Sequence, residues 1–99
     1  MTDQILIVDD EREIADLVTL YLENENFMVF KCYTAAEALA CIAAQRLYLA
    51  ILDVMLPDMS GFEICQRIRM EHNYPVIMLT ARGEATDKIT GLTLGAATT

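Results

Sequence analysis

Four oxygen-bearing side chains close apolar runs in this 99-residue sequence: Asp9 and Asp10 end "QILIVDD", Asp53 ends "LAILD", and Thr80 ends "PVIMLT". One acidic residue in such a place is an ordinary turn or helix cap, but three that converge call for a chemical reason. Carboxylates held within a few ångströms of one another repel unless they are protonated or share a cation. Neither histidine nor cysteine stands among them, so the ligand set is all oxygen, which suits Mg²⁺ with Mn²⁺ as a substitute. A hard octahedral ion keeps several waters and favours one or two carboxylates plus a phosphate oxygen. The group is therefore a candidate for phosphoryl chemistry at a carboxylate nucleophile.

The elements that must carry these residues follow from periodicity. "QILIVDD" reads as a strand, and apolar residues at Ile14, Leu17, Val18, Tyr21 and Leu22 have helical spacing. "FMVFKCY" is a second strand. Thr34, with Glu37 three residues on, has the form of a capping box opening a helix over Ala35 to Ala44. Leu47 to Leu52 is a third strand, Gly61 to Met70 a helix with Phe62, Cys65 and Ile68 inward, and "PVIMLT" a fourth strand opened by Pro75. A last helix is expected over Glu84 to Leu94. Near-continuous apolar strands alternating with amphipathic helices imply right-handed crossovers and a parallel sheet covered on both faces, a three-layer α/β domain. In such a sheet the loops leaving the carboxyl ends of the strands meet on one edge, at the switch in strand order, which brings Asp9, Asp10, Asp53 and Thr80 together.

Composition narrows the class. The chain has 15 acidic and 7 basic residues, a net charge of −8, which argues against binding nucleic acid or an anionic membrane through charge. Its apolar runs are far shorter than the roughly 20 residues of a membrane span, and no signal peptide or anchor is visible. Cys32, Cys41 and Cys65 are odd in number and lack metal-ligand spacing, so they read as reduced, packed thiols in a cytoplasmic protein. His72, Arg67 and Arg69 read as helix-end and outer-face residues without a chemical role. At this length the chain holds one domain, residues 1–99.

"ILIVDDE", "LAILDVMLPDMSGFEICQRIR" and "PVIMLTA", at these separations, resemble the receiver domain of two-component response regulators. "DDEREIADLVTLYLENENF" and "DKITGLTLGA" more narrowly resemble the vancomycin-resistance type, whose intact members attach a winged-helix DNA-binding domain and regulate transcription. The resemblance implies a flavodoxin-like fold and a signalling domain. Such a domain is not an enzyme beyond Mg²⁺-dependent self-phosphorylation and slow self-dephosphorylation. It further implies that Asp53 accepts a phosphoryl group from a sensor histidine kinase, with Asp9, Asp10, Asp53 and the backbone carbonyl of Met55 holding Mg²⁺. Thr80 would be the switch that bonds the phosphoryl group, and Met55 and Arg82 would flank it. Pro57, with its fixed φ, and Gly61, with a permissive one, would shape the loop behind the acceptor.

The sequence also departs from that pattern. The sheet order expected is 2-1-3-4, with strand 5 and helix 5 missing, because "GLTLGAATT" ends the sequence where the family continues. Thr99 stands near the position of the family's aromatic switch residue, and neither Lys31 nor Lys88 matches its lysine. Phosphorylation without that lysine should give little switching. Strand 4 would then be an open apolar edge, which implies a homodimer or larger assembly through it. A pseudo-receiver or assembly fragment that does not signal stays open as an alternative. A dehalogenase-type phosphohydrolase would need D-x-D where Asp53 is followed by Val54 and Met55, and a flavin site would set phosphate against "DDEREI".

Overall fold

The computed structural model describes residues 3–79, which form β1 (Gln4–Val8), α1 (Arg12–Asn24), β2 (Met28–Cys32), α2 (Ala35–Ala44), β3 (Leu49–Asp53), α3 (Gly61–Glu71) and β4 (Val76–Leu79). Each β-branched or leucine-rich run has become a strand, and every neighbouring pair is parallel, in the order β2-β1-β3-β4. The helices divide between the faces. Ala15 of α1 packs on Ile5, Ile7 and Ile51, while α2 and α3 cover the other face, where Ala38, Ile42, Ile64 and Ile68 meet Leu6 and Leu52. Both faces of β1 and β3 are therefore buried, which is why Ile5 to Val8 and Ala50 to Leu52 read as unbroken apolar runs. The three-layer α/β architecture and the strand order agree with the sequence expectation.

Local signals set the helix ends. The Thr34 Oγ1 accepts from the Glu37 N–H at 3.2 Å as the capping box predicts, but Glu37 Oε1 reaches one residue further back than expected and accepts from the Tyr33 N–H at 2.8 Å, not from that of Thr34. The end of α1 carries a signal that periodicity alone does not reveal. Asn26 adopts φ 71°, with its N–H donating to the Glu23 carbonyl at 3.0 Å and the Phe27 N–H to Leu22 at 3.1 Å. Asparagine tolerates that left-handed conformation better than most residues, and the paired bonds stop the helix and turn the chain into β2.

Two expectations about helix faces, in α3 and at Arg69, need correction, and α1 shows which of its periodic residues turn inward. In α3, Ile64 and Ile68 are buried and Phe62 is 59% exposed, with Cys65 only partly covered. The phase is fixed by Gly61, which lies hard against β3, so the residues three and seven positions on face the sheet. In α1 the sheet selects Ala15 and Thr19, with Val18 and Leu22 beside them, and leaves Leu17 and Tyr21 outside. Small residues at the contact let this helix approach the strands closely. Arg69 is not on a free outer face, because its guanidinium donates to the carbonyls of His72 and Tyr74 and ties the end of α3 to the approach to β4.

The expected helix over Glu84 to Leu94, together with Thr80, Arg82, Lys88 and Thr99, lies outside the described residues. Among the described residues β4 stands at the edge of the sheet, and the expectation of an open edge and of assembly there depends on residues 80–99. No helix among the described residues is long and apolar enough to cross a membrane. The three cysteines carry free thiols, and burial pushes the Cys32 thiol up to about 12.

Candidate metal and phosphoryl site

β1 and β3 lie side by side, with Val8 opposite Leu52, so the residues that follow these partners emerge at one edge of the sheet. Asp9 leaves β1 there and Asp53 closes β3. The strand interior makes both carboxylates fully buried, while Asp10, one residue further along, stands exposed at the mouth. One carboxylate oxygen from each of Asp9, Asp10 and Asp53 lies within 4.8 Å of the others. The sequence expectation that these three converge is met.

Hydrogen bonds orient the two buried acids. Asp9 Oδ1 accepts from the Glu11 N–H at 2.9 Å, and the Asp9 N–H is held by the Cys32 carbonyl of β2 at 3.1 Å. Asp53 Oδ1 accepts from the Met55 N–H at 3.3 Å. The second oxygen of each, Asp9 Oδ2 and Asp53 Oδ2, is buried without a hydrogen-bond partner. A buried carboxylate oxygen in that condition is costly unless a cation or a proton meets it. Among the described residues no basic side chain forms an ion pair with the three acids, and Lys31 is committed to Asp16 at 2.9 Å.

Electrostatics follow from this geometry. Burial, and next the adjacent charge of Asp9, push the Asp53 carboxyl up to about 7, against a small downward pull from the Met55 amide. Two unpartnered oxygens, a third carboxylate at the mouth and an all-oxygen donor set fit a small divalent cation such as Mg²⁺. Asp9, Asp10 and Asp53 would hold it.

The loop behind Asp53 is built to tight tolerances. The Gly61 N–H donates to the Val54 carbonyl at 2.8 Å, and Met55 and Ser60 form an antiparallel bridge across the loop. A Cβ on Gly61 would sit 2.1 Å from the Asp53 carbonyl oxygen. Gly61 is thus needed for close approach and not, as the sequence led us to expect, for a permissive φ. Met55 lies where the resemblance puts it, in the loop after β3 and with its side chain 55% exposed. Thr80 lies outside the described residues. Sequence reasoning missed Asp58, which spans from this loop to α2; its acidity is visible in the sequence, but nothing local shows its reach.

Comparison with known proteins agrees with this arrangement. The family model described as response regulator receiver domain matches residues 5–99. Regulatory protein VanR of Enterococcus faecium is 66% identical over 96 residues, a match covering 97% of this chain and 42% of that protein. The chain thus spans about two-fifths of the length of this relative. A CheY-like receiver domain from Methanospirillum hungatei superposes with a TM-score of 0.80 at 34% identity, covering 97% of this chain and 78% of the other. The response regulator TrrA from Thermotoga maritima, solved in complex with Mg²⁺–BeF, gives a TM-score of 0.76 at 32% identity, covering 83% of this chain and 72% of that one.

Proposed function

The chain belongs to the response regulator receiver domain family, and from that premise we propose that it accepts a phosphoryl group on Asp53 from the phosphohistidine of a sensor kinase, with a divalent cation in the acidic pocket. The observation that carries the reading is the pairing of two buried carboxylates, each with one unpartnered oxygen, below an exposed third. That the relative TrrA was solved with Mg²⁺ and a fluoroberyllate supports it.

Each residue of the pocket has its own part in the chemistry. Asp53 attacks phosphorus through a carboxylate oxygen, the bond from phosphorus to the donor nitrogen breaks, and an acyl phosphate forms on the side chain. The Met55 amide holds Oδ1, which leaves Oδ2 as the oxygen not engaged by the backbone. Asp9 and Asp10 would hold the cation, and a bound cation would supply positive charge to keep Asp53 ionised and to offset the charge of the incoming phosphoryl oxygens. The buried strand end fixes the direction of attack, because Asp53 belongs to β3 and its carbonyl is wedged against Gly61. The Met55 carbonyl as a further ligand and Thr80 as the switch belong to the same proposal. The receiver-domain match over residues 5–99 and the 66% identity to a regulatory protein support this reading over the pseudo-receiver alternative, which would keep the same pocket.

Incubation with a small acyl phosphate and Mg²⁺, followed by intact-mass measurement, tests the reading. One phosphoryl addition is expected, and none when the metal is chelated before the phosphodonor is added. Asp10→Ala should lower Mg²⁺ affinity, itself on the order of millimolar, by at least about tenfold and slow labelling in step. Labelling that is indifferent to metal and to Asp10 would contradict the proposal.

A further inference from the structure

The first turn of α2 leaves backbone N–H groups that the helix itself cannot satisfy. The local capping box meets only part of that need, since Thr34 takes the Glu37 N–H. The Ala35 and Ala36 amides are met from 23 and 22 residues away: Asp58 Oδ1 accepts from Ala35 at 2.9 Å and Asp58 Oδ2 from Ala36 at 3.1 Å. These two amides hold the Asp58 carboxyl below its usual range, so it is ionised throughout the neutral region.

The position of this clasp gives it a consequence beyond helix capping. Asp58 lies in the loop between Asp53 and Gly61, the loop that carries Met55. Ala35 and Ala36 follow Cys32, whose carbonyl holds the Asp9 N–H at 3.1 Å. Asp58 therefore closes a ring of contacts from Asp9 through the β2–α2 junction to the Met55 loop and back to Asp53. Apart from it, the loop is held at its start by the Val54 N–H on the Leu79 carbonyl and the Met55 N–H on Asp53 Oδ1, at its end by the Met55–Ser60 bridge and the Gly61 N–H on the Val54 carbonyl, and by the packing of Val54, Leu56 and Met59 on the core.

We propose that Asp58 is a positioning residue for the metal site, tying the loop that carries Met55 to the junction that holds Asp9. The proposal rests on the acidic pocket being the metal site. Charged hydrogen bonds donated by two amide N–H groups to one carboxylate hold a loop in a way that no apolar contact at this exposed position could. Groups bonded directly to metal ligands change affinity by about tenfold or more, and Asp58 acts one contact further out, through the loop, so its effect is expected to be smaller.

The test is Mg²⁺ titration by calorimetry, together with hydrogen exchange at the Ala35 and Ala36 amides. Asp58→Ala should weaken Mg²⁺ binding by about fivefold and speed exchange at both amides. Asp58→Asn keeps one acceptor and should recover part of the affinity. Thr34→Ala removes the local cap of the same helix without touching the loop; it should leave Mg²⁺ affinity within about twofold of the parent, since it loses a cap and no ligand support. Affinity that falls equally in Thr34→Ala and Asp58→Ala would reduce the effect to general loosening of α2 and overturn the proposal. Unchanged affinity in Asp58→Ala, with loss in Asp53→Ala, overturns the role of Asp58 alone. Unchanged affinity in both overturns the metal site as well.

Discussion

Asp53→Asn is expected to stabilise the metal-free fold by about 2–4 kcal/mol at pH 8, at roughly 1.4 kcal/mol for each pH unit by which the carboxyl is displaced, while abolishing phosphoryl acceptance. The carboxyl titrates at about 7 in the folded chain against an ordinary value of 3.8. Between those limits the folded state binds a proton that the unfolded state has released, so stability falls as pH rises through the window. The loss is complete above about pH 8, where Asp53 is ionised in a buried position beside the charge of Asp9. Asparagine has no proton to lose, and its amide can donate toward the unpartnered Asp9 Oδ2. The slope of stability against pH should therefore flatten in the variant, and Mg²⁺ should flatten it in the parent by neutralising the pair. Urea unfolding from pH 5 to pH 8, with and without Mg²⁺, reads both effects. A parent chain whose stability rises across that window would show that Asp53 is not strained by its surroundings.

Gly61→Ala should have the second large effect, a loss of about 3 kcal/mol or more from overpacking. The added methyl would lie 2.1 Å from the Asp53 carbonyl oxygen and 2.9 Å from its carbonyl carbon, and both are backbone atoms of a central strand. The Met78 methyl at 3.1 Å could yield, but the strand cannot move without disturbing the ladder to β1 and β4. The ordinary gain of up to about 1 kcal/mol for alanine over glycine in a helix is too small to offset this. Because the displaced carbonyl belongs to Asp53 itself, Mg²⁺ affinity should fall by at least about tenfold together with stability. Chemical denaturation and a metal titration on the same sample check the two. A Gly61→Ala chain as stable as the parent would mean that α3 can lift from β3 at little cost, and the rigid placement of Asp53 would be lost as an argument.

Most of what positions the pocket is legible in the sequence because it depends on short-range pattern. Parallel strands buried on both faces must read as apolar runs, and their carboxyl ends must meet, so the pattern by itself groups Asp9, Asp10 and Asp53. The box of Thr34 and Glu37 is legible for the same reason, since its partners are three residues apart. What escapes a linear reading is set by tertiary contact. Phe62 and Ile64 are equally good candidates for the inner face of α3 until the approach of Gly61 to Asp53 fixes the rotation. Leu17 and Tyr21 outrank Ala15 and Thr19 in apolarity, yet the close packing of α1 on the sheet admits the smaller pair. Asp58 is one of 15 acidic residues, and only the folded chain shows that it reaches the first turn of α2.

The central claim, that Asp53 is a phosphoryl acceptor in a pocket built for a divalent cation, is tested most directly by beryllofluoride binding, because this phosphoryl mimic needs the acceptor carboxylate, the metal and the surrounding pocket at once. Calorimetry with the fluoride complex in the presence of Mg²⁺ should show saturable binding at one site per chain. It should vanish when Mg²⁺ is withheld and in Asp53→Asn. Binding that persists without the metal, or in Asp53→Asn, would contradict the account, and so would a parent chain that binds Mg²⁺ yet does not take up the fluoride complex.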